Sequence, residues 1–365
     1  MIRQAEAVLD GHPDRFCDLV ADSIVFDLCR EEPDAYAQIE VAVWSDLLIL
    51  TGAAFTRDGR RPDVRRLIVE LGRRIGYTPD NHIDVERYRI QDEVCYIRTD
   101  PAEWTMHVND QCIVTGYAGY DERTAYLPPE QFLVRHLRMA VMDSLRQGPL
   151  QGEGPDGKLL VILREETDGW HPETIILTLQ QRPSTPYTSL VAAAIRTLRE
   201  AWEDLRRHDP RWKPEWRGIR CLVNPNGPMH EAGSDADNGQ TGRKTVMDFY
   251  GPRIPIGGGA LHGKHPSHID RIASARARRF AVDMVRQGAP ETLVTVCYAP
   301  GMNDPVSLDI PSGLPHPDNA NEYFSFPNML HDLGREMSGR TVADDASRIY
   351  QTGVWGPSPA TDLLK

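Results

Sequence analysis

The sequence predicts an α+β protein of three similar subdomains, each a mixed sheet covered by helices on one face, with residues 1–100, 105–229 and 230–365 as the units. Three observations carry this. The 365-residue chain is long enough to bury a sizeable core in two or three packed layers. Strand-like pairs alternate with single helical runs three times along it. Pro- and Gly-rich stretches at 148–157, 208–218, 251–263 and 311–318 punctuate the pattern as loops, the last opening a weakly patterned tail that ends GVWGPSPATDLLK. The recurrence is one of rhythm, without a residue-level repeat.

The elements follow in order. After Pro13, Phe16, Leu19, Val20 and Ile24 recur at helical spacing, so a first helix begins at His12-Pro13 with proline in its first turn and Asp14 at its start. YAQIEVAVW (36–44) and LLILTGAAF (47–55) are strand runs broken by Ser45-Asp46, which predicts a hairpin. Val64, Leu67, Ile68, Leu71 and Ile75 form a helical stripe stopped by Gly76. CIVTGYA (112–118) reads as strand and 129–148 as helix. KLLVILR (158–164) and ETIILTLQQ (173–181) read as strands, and 189–207 as helix. The third round is IRCLVNP (219–225), a long helix over 270–288, and the strands LVTVCYA (293–299) and PVSLDI (305–310).

Charge narrows the partners. Lys plus Arg total 41 against 53 Asp plus Glu, a formal charge of −12 with no block of like charge, which argues against nucleic acid and anionic membrane. The start lacks a signal-peptide core, and no uncharged apolar run approaches the roughly 18 residues of a membrane span, so a soluble, cytoplasmic protein is expected. Six cysteines (17, 29, 95, 112, 221, 297) without a CxxC pair give neither a disulfide framework nor zinc-ligand spacing, and are read as reduced thiols, mostly in the core.

Four segments combine glycine with charge: GHPD (11–14), GPDGK (154–158), DNGQTGRK (237–244) and GGGALHGKHPSHIDR (257–271). Glycine lets backbone N–H groups approach a ligand, and Lys and Arg bring charge-assisted bonds to phosphate oxygens. A unit charge pair at about 4 Å is worth on the order of 4 kcal/mol at an effective dielectric of ~20, before desolvation. Several converging cations thus overcome the field of an acidic chain, and a polyphosphate is the expected anion. Singly, GGG is more often a tight loop and an Arg-Lys pair a solvated face. Neither a GxxxxGK[ST] loop nor a GxGxxG after a strand is present.

In this order the segments resemble the S-adenosylmethionine synthetases (methionine adenosyltransferases). That family carries GHPDK, GDQG-x-x-FGYA, RPD-x-K, GD-x-G-x-TGRK-x-x-x-D-x-YG and GGGAFSGKD followed by VDRSAAY. Here one reads GHPDR (11–15), NDQCIVTGYA (109–118), GPDGK (154–158), ADNGQTGRKTVMDFYG (236–251) and GGGALHGKHPSHIDRIASARAR (257–278). The resemblance spans residues 10 to 310 and implies three subdomains with approximate threefold symmetry. It also implies a homodimer or dimer of dimers with interfacial active sites. The implied reaction is attack of methionine sulfur on C5′ of ATP, releasing triphosphate that is then hydrolysed to phosphate and pyrophosphate, with Mg2+ and K+.

Carried over by position, the resemblance places His12 by C5′ and the bridging oxygen, and Asp14 and Asp270 on Mg2+, although either acid also suits a helix cap. It places Lys158, Arg243, Lys244 and Lys264 along the polyphosphate, Asp156 on the ribose hydroxyls, Asp110 and Asp237 near the amino acid and ribose, and Glu40 at the K+ site. The departures lie on the acceptor and base side. Ala53 replaces a glutamate that contacts the methionine ammonium. Residues 91–107, including Asp100, Glu103 and Trp104, replace the gate loop and read either as a different lid or as a surface turn. Met229 stands where an aromatic ring covers adenine, His268 where a phosphate-side lysine stands, and Pro300 replaces an isoleucine. Three functions fit: methionine adenosyltransferase, a relative using the triphosphate site with another nucleophile or nucleotide, and a non-catalytic partner of a true synthetase.

Overall fold

The computed structural model describes residues 1–81, 83–311 and 319–337. Most of the 311–318 loop and the terminal GVWGPSPATDLLK lie outside the described residues. From the N-terminus, β1 (Ile2–Val8) leads into α1 (Pro13–Glu31), the hairpin β2 (Tyr36–Trp44) and β3 (Leu47–Thr56), and α2 (Val64–Ile75). Two short strands, β4 (Arg89–Asp92) and β5 (Cys95–Arg98), and the one-turn α3 (Ala102–Thr105) precede β6 (Cys112–Gly119) and α4 (Pro129–Gln147). Then come β7 (Gly157–Glu166), β8 (Gly169–Leu179), α5 (Tyr187–His208), β9 (Arg220–Val223), the two-residue β10 (Gly239–Gln240) and α6 (Thr245–Asp248). The chain closes with α7 (Ile269–Arg286), β11 (Glu291–Tyr298), β12 (Ser307–Asp309), α8 (Ala320–Tyr323) and α9 (Phe326–Met337).

The architecture is α+β, with three sheets ordered β1-β7-β8-β9, β10-β2-β3-β4 with β5 also beside β3, and β12-β11-β6. The first two are mixed, since β9 runs parallel to β8, and β4 and β5 parallel to β3. In each, a helix between the parallel strands supplies the crossover. The third sheet is a correction to the expected mixed sheet: β6, β11 and β12 pair only antiparallel, because no helix carries one of its strands back in the same direction. Helices cover each sheet as expected: α4 and α5 the first, α1 the second and α7 the third, with α2 packed on α1 and α9 on α7. Each layer encloses its own core, around Leu159, Ile175 and Trp202, around Phe16, Ile24 and Leu50, and around Phe280, Val294 and Phe324.

Sheet membership cuts across the segments 1–100, 105–229 and 230–365. β1 joins the sheet of β7–β9, β6 pairs with β11 through eight residues, and β10 docks on β2. These swaps bring loops distant in sequence to the starts of α1 and α7. Of the six cysteines, all free, Cys17, Cys29 and Cys112 are buried, Cys221 and Cys297 half-buried and Cys95 exposed, so half rather than most are core thiols. Among the described residues no helix is long and apolar enough to cross a membrane.

Candidate active site

The start of α1 builds the first cluster. His12 is extended (φ −65°, ψ 134°) and caps the helix, its Nδ1 accepting from the Asp14 N–H at 3.2 Å. That bond fixes the ring proton on Nε2. Asp14 is 1% exposed and its carboxylate accepts from Lys244 Nζ at 2.6 Å and from the Gln240 N–H at 2.9 Å, with Arg243 3.4 Å away. A β-carbon on Gly239 would collide with the Pro13 carbonyl, so only glycine lets β10 and its cations approach the helix this closely. Burial, then Lys244, lower the His12 pKa to about 4 against the pull of Asp14 and Asp237. The ring is neutral at pH 7.

Lys158 on β7 adds to that lowering and pairs with Glu6 at 2.5 Å, both partly exposed. Asp156 is 6% exposed and accepts from the Gly233 N–H at 2.7 Å. Burial raises its pKa to about 6 despite the backbone bonds of Gly233 and Gly157. Asp237 is exposed and caps the Asn238 N–H at 2.8 Å, while the Arg243 guanidinium donates to Asn238. Met229 lines a cavity of about 500 Å3 with Thr178, Asn226, His230 and Glu231. Thr178 is the cross-strand partner of Lys158, which sets this cavity beside the cluster.

The start of α7 repeats the design. His268 (φ −56°, ψ 136°) is the cap, its Nδ1 accepting from the Asp270 N–H at 3.1 Å, and Asp270, 5% exposed, accepts from Lys264 Nζ at 2.6 Å. Lys264 is held because residues 263–265 pair along the β2 edge, the Ile39 N–H donating to Gly263 O and the His265 N–H to Ala37 O. A β-carbon on Gly259 would collide with the Asp270 carboxyl. Asp110 is exposed, its Oδ2 4.0 Å from His268 Nε2, and Asp110, His268 and Asp270 together have the spacing of metal ligands. Burial, then Lys264, lower the His268 pKa to about 3, so this ring too is uncharged at pH 7. Glu40 lies on the open face of β2, its pKa raised by burial against the effect of Lys264.

The predicted site residues thus fall into two groups within one chain. His12, Asp14, Asp156, Lys158, Asp237, Arg243 and Lys244 gather at α1, with Met229 in the adjoining cavity. Asp110, Lys264, His268 and Asp270 gather at α7, with Glu40 close enough to feel Lys264. Among the described residues no hydrogen bond or ion pair links the two groups directly. Segment 91–107 lies largely along the β3 edge. β4 and β5 extend the β3 edge, with Ala53 opposite Cys95, and Trp104 stacks on Phe55 at 4.4 Å and on Tyr36 at 6.1 Å, Tyr36 stacking in turn on His268.

Sequence reasoning missed a buried charge network beneath both groups. Arg15, Asp18 and Asp22 of α1, Asp248 of α6, His262 and Arg271 are each less than 10% exposed. The spacing of 15, 18 and 22 on one helix was the available signal, hidden by the apolar stripe interleaved with it.

Residues 1–96 match the S-adenosylmethionine synthetase N-terminal domain and residues 232–317 the C-terminal domain. An S-adenosylmethionine synthase of Bifidobacterium adolescentis is 30% identical over 336 residues, covering 84% of this chain and 80% of that protein. One from Petrotoga mobilis is 30% identical over 342 residues, covering 85% and 81%. A solved structure described as an unusual S-adenosylmethionine synthetase from Campylobacter jejuni superposes with a TM-score of 0.81 at 23% identity, over 100% of this chain and 99% of that one, and shares its fold. By sequence over most of both lengths, the chain belongs to the S-adenosylmethionine synthetase family.

Proposed function

We propose that the chain is an ATP-dependent adenosyltransferase that joins the sulfur of methionine to C5′ of ATP and releases triphosphate, which it then cleaves to phosphate and pyrophosphate. The observation that carries this reading is the twofold use of one device: a histidine-capped helix whose buried aspartate is held by a lysine at 2.6 Å, at α1 and again at α7. Each lysine–aspartate pair is a resting arrangement. When a polyphosphate arrives, Lys244 and Lys264 turn to its oxygens with Arg243 and Lys158, and Asp14 and Asp270 are freed. His12, neutral with its proton on Nε2, donates to the leaving oxygen and adds no net charge. The fit to Mg2+ is good: Asp14 and Asp270 are hard oxygen donors, and Asp270 sits in a cradle that any β-carbon at Gly259 would fill. When bound, the ion would neutralise polyphosphate charge. Glu40 offers a carboxylate to K+ from the open face of β2.

Asp156 and Asp237 would receive the ribose, the cavity at Met229 the base, and Asp110 the acceptor's ammonium. Because the α1 and α7 groups stand apart, the complete site is assembled from the α1 group of one chain and the α7 group of a second. A second reading, the same displacement with another acceptor, is favoured by Ala53, which pairs with Cys95 and leaves the acceptor side one fixed charge short. The test is incubation with ATP, methionine, Mg2+ and K+, following S-adenosylmethionine, phosphate and pyrophosphate separately. All three in equal amounts support the first reading; triphosphate cleavage without S-adenosylmethionine supports the second. Failure to release any of them, with added tripolyphosphate intact, overturns both and leaves a binding protein.

A further inference from the structure

The buried network beneath the two groups contains a residue that none of the family motifs supplies. Where GGGAFSGKD has serine, this chain has His262, 2% exposed. Its Nδ1 lies 2.8 Å from Asp22 Oδ2 on α1, and its Nε2 3.2 Å from Asp248 Oδ2 on α6. Arg15 NH1 lies 2.9 Å from the same Nε2 and 3.2 Å from Asp18 Oδ2, while Arg15 NH2 donates to Asp248. Arg271 NH1, 3.6 Å from Asp22, donates to the Lys264 carbonyl at 2.7 Å, and the Gly263 N–H donates to Asp22 at 2.6 Å. From α4, Arg135 donates to the carbonyls of Met247, Asp248 and Phe249. Asp18, Asp248 and His262 have the spacing of metal ligands, but the Arg15 guanidinium touches all three and stands where an ion would.

The covalent positions give the network its meaning. His262 is two residues from Lys264, and Asp248 four residues from Lys244, with the Met247 and Asp248 N–H groups of α6 donating back to the Lys244 carbonyl. We propose that His262 is a positioning residue, a clasp between Asp22 and Asp248 that fixes the loop bearing Lys264 relative to the segment bearing Lys244, so that each chain presents its α1 and α7 groups at a set spacing to the sites they complete. Burial alone would strip the ring of its charge, but Asp18, Asp22 and Asp248 outweigh it and hold the pKa up to about 10. A serine at this place reaches one carboxylate at most.

The inference rests on the adenosyltransferase reading only for its catalytic readout. The test is His262→Asn, which keeps one donor for Asp22 and none for Asp248, together with Asp248→Asn and the double variant, all assayed at 25 °C below the melting midpoint of each. His262→Asn is expected to lower kcat about tenfold while the KM for ATP changes less than about threefold, because a clasp sets geometry more than binding. The double variant loses no more than the worse single one, since both substitutions open the same clasp. Unchanged kcat in folded His262→Asn, or losses that multiply in the double variant, overturns the proposal. If the unaltered protein shows no turnover, the functional reading fails separately, and the urea-unfolding free energies of the same variants decide the clasp by the same non-additivity.

Discussion

Replacing Lys264 by methionine separates what the α7 pair does for the fold from what it does for the reaction. Lys264 and Asp270 are 7% and 5% exposed and 2.6 Å apart, and the nearest ring, His268, is neutral. Removing the lysine head leaves Asp270 buried without its partner, which costs about 3–5 kcal/mol. Removing the carboxylate as well, in Lys264→Met/Asp270→Asn, abolishes the unpaired charge and should recover most of that loss, measured by urea unfolding. Turnover behaves differently. A lost charge-assisted bond to phosphate is worth about 1.5–3 kcal/mol, or roughly 10- to 150-fold in rate. The double variant recovers none of it, because neither the phosphate contact nor the freed carboxylate returns. A double variant as slow as the single but nearly as stable as the original protein is therefore expected. Recovery of turnover together with stability would refute the claim that Lys264 touches substrate, and unchanged turnover in the single variant would remove it from the site.

Three further outcomes follow from local geometry. Gly259→Ala drives a β-carbon into the Asp270 carboxyl and should lower turnover more than tenfold and raise the Mg2+ needed for half-maximal rate, read by metal titration. His265 is buried, and burial, then Arg271 and His268, lower its pKa from 6.5 to about 3. Since the unfolded chain takes up a proton that the native one refuses, stability falls as pH drops below 6.5, by about 2 kcal/mol at pH 5 from this ring, and unfolding at pH 7.5 and 5 of the protein and of His265→Asn reads it. Trp104→Ala uncovers Phe55 and should lower stability by about 1 kcal/mol, measured by urea unfolding.

Much of this was legible in the sequence where the signal was local. The first helix and its histidine-proline start, the 36–55 hairpin and the stop at Gly76 are each set by spacing and a cap, and each stands at the expected place. The strands β1, β4, β5 and β10 were not, because short edge strands form through pairing with residues up to 200 positions away and carry little periodicity of their own. The same long-range pairing explains the third sheet: nothing in CIVTGYA says that its partner is LVTVCYA running the other way. In the site, the cations and acids were legible as types. Their grouping was not, since whether Lys264 stands with Lys244 or apart from it depends on where along the one free edge of β2 each loop docks, β10 at Ala42–Val43 and Lys264 at Gln38.

The two histidine caps show how the sequence hides a functional equivalence in plain view. GHPD and SHID share only a histidine two residues before an aspartate, yet both give the same extended cap, the same bond from the aspartate N–H to Nδ1, and the same buried carboxylate held by a lysine, from a distant loop at α1 and from six residues upstream at α7. At α1 that histidine is joined by Lys158, Arg243 and Lys244, whereas at α7 Lys264 stands by, with Arg271 bonded to its carbonyl. A helix N-terminus carries roughly half a positive charge, so each aspartate is already favoured before its lysine arrives. The lysine is then free to leave for a better anion without stranding the carboxylate, provided a cation comes with that anion. An adduct of polyphosphate and Mg2+ brings both in one step, which is why pairs that look like closed structural salt bridges suit a site that must open. Inorganic tripolyphosphate with Mg2+ should accordingly bind far more tightly than either alone, and equal affinity with and without the metal would contradict this exchange.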